Sequence, residues 1–226
     1  MAAKLSKKEL KQPDSFQSSI EMIQDYISEN PNRFYAFVTA FVIATIIALG
    51  IYMYWNSYQE SAREMYAKAQ ASISQSADTP EDVMKNIKIY QALIDKYPHS
   101  WSARMAHYNL GNLYYSVGEF DKAIADYKKF VSSRISSHAG IKFLALTSIG
   151  YCYEARKDFP SALEYFEKAQ KSENAGFESV GYRNIGRIYE EQNDKKNALE
   201  NYKKALEKTT DPSTVTFIKY KISSLS

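Results

Sequence analysis

Read for apolar and polar positions alone, the chain changes texture twice. From Phe34 to Trp55, "FYAFVTAFVIATIIALGIYMYW", 22 consecutive residues carry no charge. At 1.5 Å of rise per residue that is roughly 33 Å of helix, enough to cross the hydrocarbon core of a bilayer. Ahead of this run, "PDSFQSSIEMIQDYISENPN" places Phe16, Ile20, Ile23 and Ile27 at helical spacing, with Glu21, Asp25 and Glu29 elsewhere. That predicts a short amphipathic helix, either lying on the inner leaflet or against a membrane partner, or else a weak juxtamembrane helix with no partner. After Trp55 the apolar residues recur at intervals of three and four to the end, and no alternating run bounded by hairpin turns predicts a strand. "NSYQESAREMYAKAQASI" continues the helix out of the apolar run. "DTPEDV" from Asp78 then reopens one: Thr79 caps it, Pro80 starts it, and Glu81 and Asp82 suit its positive end. "STVTFIKYKISSL" is rich in β-branched residues, yet Val215, Ile218, Ile222 and Leu225 share one helical stripe. Asp211 then Pro212 reads as N-cap and first-turn proline, so a helix is predicted there too.

A single spacing recurs within the helical region. "LGNLYYSVGEFDKAIADY" from Leu110, "IGYCYEARKDFPSALEYF" from Ile149 and "IGRIYEEQNDKKNALENY" from Ile185 align on a glycine, Gly111, Gly150 and Gly186. Three positions later comes Tyr114, Tyr153 or Tyr189, and twelve after the glycine comes Ala123, Ala162 or Ala198. Four further on stands an aromatic: Tyr127, Phe166 or Tyr202. Glycine and alanine let two antiparallel helices approach closely, and the aromatics fill the space between neighbouring pairs. A single pair cannot bury its apolar face, so the copies are predicted to stack. An upstream half-copy, "YQALIDKYP" from Tyr90 to Pro98, fits the end of one more unit.

These residues resemble the tetratricopeptide repeat, a helix–turn–helix unit of about 34 residues. The resemblance runs from about Ala62 to the C-terminus. It departs from the pattern where His107, Leu146 and Tyr182 replace the usual Trp-type residue, and in the longer joins "SSRISSHAG" and "SENAG". The expected fold is all-α: one N-terminal transmembrane helix, then a solenoid of about four helix pairs closed by a C-terminal capping helix. The predicted layout is a cytoplasmic tail with a short amphipathic helix at 1–33, a transmembrane helix at 34–55, and a juxtamembrane helix with a degenerate first repeat at 56–98. Repeats follow at 99–211 and the capping helix at 212–226.

Composition narrows the function classes. With 29 basic and 26 acidic residues the net charge is +3, too balanced to point to nucleic acid. Cys152 is the single cysteine, so neither an internal disulfide nor a cysteine metal cage is available, and its place in the second repeat predicts a packed core thiol. His99, His107 and His138 have no metal-ligand spacing, and His107 is expected to pack inside its repeat. No Gly-rich phosphate loop or nucleophile elbow occurs. No catalytic residue, metal or cofactor is read from the sequence, and a non-enzymatic chain is expected.

A solenoid of this kind works through its concave face. The stripe beside the buried one is predicted to hold Tyr108, Asn112 and Tyr115 in the first repeat, Thr147, Tyr151 and Glu154 in the second, and Arg183, Arg187 and Glu190 in the third. Tyr and Arg are enriched at interface hot spots. Two readings stand side by side: a groove for an extended peptide or an acidic segment, and tyrosines that pack between repeats. The two-carboxylate clamp of some tetratricopeptide proteins is not expected, because Asn112 fits it but Tyr108, Ser148, Val180 and Asn184 occupy its other positions.

Lys4, Lys7, Lys8, Lys11 and Arg33 precede the apolar run, against only Arg63 and Lys68 in the twenty residues after it. By the positive-inside rule the N-terminus is expected in the cytoplasm and the repeats outside. The run is too long and starts too late for a cleaved signal peptide, and no convincing small-x-small cleavage site follows. The whole layout, with Tyr54-Trp55 leading into Tyr58, Ala62, Tyr66 and Ala69, resembles the bacterial ancillary subunit family of the SecYEG translocon. That resemblance implies an adaptor in the bacterial inner membrane, single-pass, with its repeats in the periplasm. Its implied partners are translocon subunits, exported or unfolded polypeptides and periplasmic chaperones, with the lipid bilayer met through Phe34 to Trp55. A homo-oligomer stays open. The alternatives are an envelope-assembly or division scaffold with one stable partner, and a regulatory module whose cytoplasmic tail binds a partner.

Overall fold

The computed structural model describes residues 15–75, 79–133, 140–172 and 176–226, and these form helices joined by turns, with no strand among them. The tail lysines up to Lys11, Asp78, His138 and the centres of both long joins lie outside the described residues. The chain divides into two compact units, Met1–Asn56 and Ser57–Ser226.

In the first unit, α1 (Ser15–Glu29) is followed after Asn30 by the start of α2 (Pro31–Gln75). Phe16, Met22, Ile23 and Tyr26 of α1 are exposed, and Ile27 is half-buried. Among the described residues α2 is the one helix long and apolar enough to cross a membrane, and none of its most apolar window is buried. Thr45 bonds back to the Phe41 carbonyl at 2.8 Å, which satisfies its hydroxyl within the apolar run.

The second unit stacks the end of α2 with α3 (Pro80–Lys96), then α4 (Trp101–Ser116) with α5 (Phe120–Val131). Next come α6 (Ile141–Ala155) with α7 (Phe159–Gln170) and α8 (Glu178–Glu191) with α9 (Lys195–Glu207). α10 (Pro212–Leu225) closes the array, with Ile218 buried against Ala198, Tyr202 and Ala205 of α9. Its cap is as the sequence predicts: the Asp211 carboxylate accepts the Thr214 N–H at 2.8 Å. Thr79 caps α3 in the same way, accepting from the Asp82 N–H at 3.2 Å. The incomplete first pair is held by Ala62 and Ala69, both buried, and by Tyr66, whose ring meets Tyr90 and Trp101.

The repeat spacing has a more specific cause than close helix approach. A Cβ on Gly111 would stand 2.5 Å from the Tyr127 ring, and one on Gly150 would stand 2.6 Å from the Phe166 ring. Each glycine is therefore a notch that receives the aromatic sixteen positions later in its own repeat. This corrects the expectation that these aromatics fill space between pairs. The ring sits inside the pair, and Tyr114 is the residue that reaches the preceding one, where its hydroxyl accepts from Gln91 of α3 at 2.8 Å. Tyr127, Phe166 and Tyr202 are at most 2% exposed, and burying a side chain of this size contributes about 1.5–3 kcal/mol.

The turn inside each pair also repeats. Gly118, Lys157 and Asn193, each seven positions after its notch glycine, have φ of 78°, 61° and 60°. The next residue is the N-cap of the second helix. Asp158 and Asp194 cap it through Ser161 N–H at 3.2 Å and Asn197 N–H at 3.1 Å, whereas Glu119 makes no side-chain cap bond.

Candidate protein-binding groove

The first helices of the pairs, α4, α6 and α8, together with α10, line one face of the second unit. Two adjoining depressions lie there. The first, about 160 Å³, is bounded by Asn112, Tyr115, Tyr127, Ser148 and Tyr151. The second, about 290 Å³, is bounded by Tyr151, Arg183, Asn184, Arg187, Tyr202 and Phe217. Tyr151 is common to both.

Five of the nine residues read from the sequence as groove positions line these depressions: Asn112, Tyr115, Tyr151, Arg183 and Arg187. Tyr115 is 40% exposed, its ring set edge-on to Phe120. Tyr151 is half-buried, edge-on to Phe166 on one side and under the Arg187 guanidinium on the other. The remaining four do not form open surface. Tyr108 packs against Tyr127 and Phe130 inside its own repeat, so the packing alternative holds for this residue. Thr147 is 5% exposed, and among the described residues its hydroxyl has no hydrogen-bond partner. Glu154 is ion-paired with Arg187, and Glu190 is held by Lys221 of α10 at 2.9 Å.

The charges are thus sorted. Burial pushes the Glu154 carboxyl above the usual carboxylate range, and the Arg187 charge pulls back against it. Burial also acts to raise Glu190, but hydrogen bonds from Lys221 and the Tyr202 hydroxyl, the latter at 2.8 Å, hold it below its usual range. Arg183 has a different partner: its guanidinium lies 6.0 Å from the centre of the Phe217 ring, and among the described residues no carboxylate pairs with it.

Polar links run between successive repeats at the position two before each notch glycine. Asn109 donates to the Tyr66 hydroxyl at 2.8 Å, and the Tyr151 hydroxyl donates to Asn184 Oδ1 at 3.1 Å. Ser148 stands at the same position, facing the hydroxyls of Tyr108 and Tyr127. Asn184 is 3% exposed, and among the described residues its Nδ2 has no hydrogen-bond partner. Asn184, Ser148, Tyr127, Tyr202 and Phe217 are groove residues that the sequence reading missed. A polar residue recurring two before each glycine, within an otherwise apolar face, is a signal that would have found the first two. Phe217 had no such signal, since α10 lies outside the repeat pattern.

His107 is half-buried as expected, though its contact is polar: Nδ1 lies 2.7 Å from Asp126 Oδ1. Cys152 is fully buried, and burial pushes its thiol up to about 12. Among the described residues no group of three or more His, Cys, Asp or Glu side chains is placed to hold a metal ion.

The model of a tetratricopeptide repeat-like domain family matches residues 32–226. Among solved structures, the chain is similar to one described as the MamA RS-1 ArsTM double mutant, with 16% identity and a TM-score of 0.54, covering 65% of this chain and 74% of that one. It is similar also to MamA from residue 41 to the end from Desulfovibrio magneticus RS-1, with 16% identity, a TM-score of 0.53 and the same coverage. A further MamA crystal structure is 19% identical with a TM-score of 0.50, covering 64% and 81%. At these identities the likeness is one of fold. No curated protein matches the chain by sequence.

Proposed function

Since this chain belongs to the tetratricopeptide repeat-like domain family, whose members bind other proteins, we propose that it is a membrane-anchored adaptor whose groove takes up extended polypeptide segments. The observation that carries this reading is the pair of adjoining, aromatic-walled depressions sharing Tyr151. They are concave, largely apolar and edged by a few fixed polar groups, the usual form of a recognition site. The anchor is α2, which sets the chain in a bacterial inner membrane with its N-terminus in the cytoplasm and its repeats in the periplasm. The 34–55 run is the span, and residues from 99 on bind protein. The exposed apolar side of α1 suits the membrane surface. The resemblance to the ancillary SecYEG subunit family supplies the setting: the adaptor meets exported proteins at the translocon and passes them to periplasmic folding factors. No catalytic step is assigned to it.

The test is crosslinking in intact cells of a C-terminally tagged chain, extraction in mild detergent and identification of partners by mass spectrometry. A Tyr115→Ala sample runs in parallel, since Tyr115 is exposed in the groove whereas Tyr108 belongs to the core. Translocon subunits with a spread of exported proteins, the latter reduced by the substitution, are expected. One stoichiometric envelope partner without the translocon would replace the adaptor with a scaffold. Cytoplasmic partners alone would reverse the orientation.

A further inference from the structure

Resting on the groove reading above, we infer that the groove recognises a two-residue signature in an extended peptide, an aromatic side chain followed at a short interval by an acidic one. The acidic side chain docks on Arg183 and Asn184. Four observations lead here. First, of the two groove arginines only Arg183 is without a carboxylate partner among the described residues, because Glu154 takes Arg187. Second, Phe217 flanks the Arg183 guanidinium, and an aromatic face holds that planar group in place while leaving its N–H edges free for a carboxylate. Third, Asn184 lines the same depression, is 3% exposed, and has an Nδ2 donor with no acceptor among the described residues. A buried donor left unmatched is costly, and a ligand carboxylate would match it. Fourth, none of the residues lining the depression carries a carboxylate, and the two carboxylates that touch lining residues are engaged: Glu154 with Arg187, and Glu190 with Lys221 and Tyr202. The depression therefore presents donors to a ligand rather than acceptors.

The first depression sets the other half of the signature. Its walls are tyrosine rings with Asn112 and Ser148 at the edge, and its volume of about 160 Å³ is close to the roughly 150 Å³ of an apolar cavity that takes up benzene. It accommodates one aromatic ring. Because Tyr151 is the shared wall, the two sites are about a ring's breadth apart, which an extended chain covers in about two residues.

The inference is tested by fluorescence anisotropy on the full chain in lipid nanodiscs. The probe is a dye-labelled seven-residue peptide, capped at its C-terminus with an amide, in which Phe is followed after one Ser by Glu. A second probe carries Gln in place of Glu, and a third ends in a free carboxylate at that position. The Glu peptide is expected to bind about tenfold more tightly than the Gln peptide, the worth of one charge-assisted hydrogen bond. Arg183→Gln should remove that advantage, so that the Glu and Gln peptides bind about equally, while Arg183→Lys should keep some of it. Glu154→Gln, which releases Arg187, should tighten the Glu peptide further. Equal binding of the Glu and Gln peptides would overturn the acidic signature and leave the groove reading standing. Tighter binding of the free-carboxylate peptide would replace the signature with recognition of a chain terminus. If no peptide binds and Tyr115→Ala leaves the crosslinked partners unchanged, the groove reading and the inference both fall.

Discussion

Adding one methyl group to each of two notch glycines should have opposite consequences. At Gly150 a Cβ would lie 2.6 Å from the Phe166 ring, about 0.8 Å inside ordinary contact. That ring is 1% exposed and has nowhere to retreat, so the helices must separate or the ring must leave its rotamer. Overpacking of this kind costs about 1–3 kcal/mol, against which alanine gains about 0.5–1 kcal/mol over glycine inside a helix. Gly150→Ala should therefore lower stability by about 1–2 kcal/mol. At Gly186 the nearest atoms, the Ala198 carbonyl oxygen and the Tyr202 ring, stand at 3.3 Å. A shift of a few tenths of an ångström clears them, and the propensity gain of about 0.5–1 kcal/mol should leave Gly186→Ala neutral or slightly stabilised. The assay is thermal and urea unfolding of the full chain in detergent, followed by circular dichroism. For a unit of this size 1 kcal/mol corresponds to about 2–4 °C, so a drop of about 2–8 °C is expected for Gly150→Ala and little change for Gly186→Ala. Phe166→Leu combined with Gly150→Ala should cost less than the two changes summed, because the leucine vacates the notch. Equal melting temperatures for the two alanine variants would refute the notch as the reason for the repeat's glycine.

Three further outcomes follow from the same geometry. Lys157→Gly should raise stability by about 0.5–1 kcal/mol, since the left-handed turn costs a side-chain-bearing residue about 1–2 kcal/mol and the greater backbone freedom of unfolded glycine offsets some of the gain; an unchanged urea midpoint would count against it. Hydrogen bonds from Ser213 and Thr214 lower the Asp211 carboxyl from 3.8 to about 2, so its cap on α10 is fully formed above pH 4 and is lost as the pH falls toward 2. Helix content in α10, read by NMR, should fall across that window in the native chain and stay flat in Asp211→Asn. Cys152, its thiol pushed up to about 12 by burial, should fail to react with a disulfide reagent at pH 8 in the folded protein and react once the chain is unfolded in urea; rapid labelling of the native chain would contradict its burial.

The architecture was legible because its causes are local. A notch and the ring that fills it lie sixteen positions apart in one repeat, and α10 begins with a cap and a first-turn proline that identify it without reference to any neighbour. The groove was only partly legible, because its members are chosen by contacts between repeats. Thr147 occupies the same repeat position as Tyr108 and Arg183, yet it is buried. Arg183 and Arg187 look alike in the sequence, and only the arrival of Glu154 from the preceding repeat separates a satisfied arginine from an available one. Phe217 is supplied by a helix outside the pattern, so no periodicity could have placed it in the groove.

The polar links between neighbouring repeats have a bearing on how the chain acquires its structure. Asn109 to Tyr66 spans 43 positions, Tyr151 to Asn184 spans 33, and the notch pairs span fewer. Contacts this near in sequence close small loops, and chains built from them fold quickly and in sequential order. A polypeptide emerging from one end can complete each notch before the following repeat arrives. A chain cut short after α7 would keep its earlier pairs folded and expose at its raw end the apolar face meant for α8. Interrupted synthesis would then yield a sticky, half-built solenoid rather than an unfolded chain, its open face lacking the kind of cover that α10 gives α9 through Ile218.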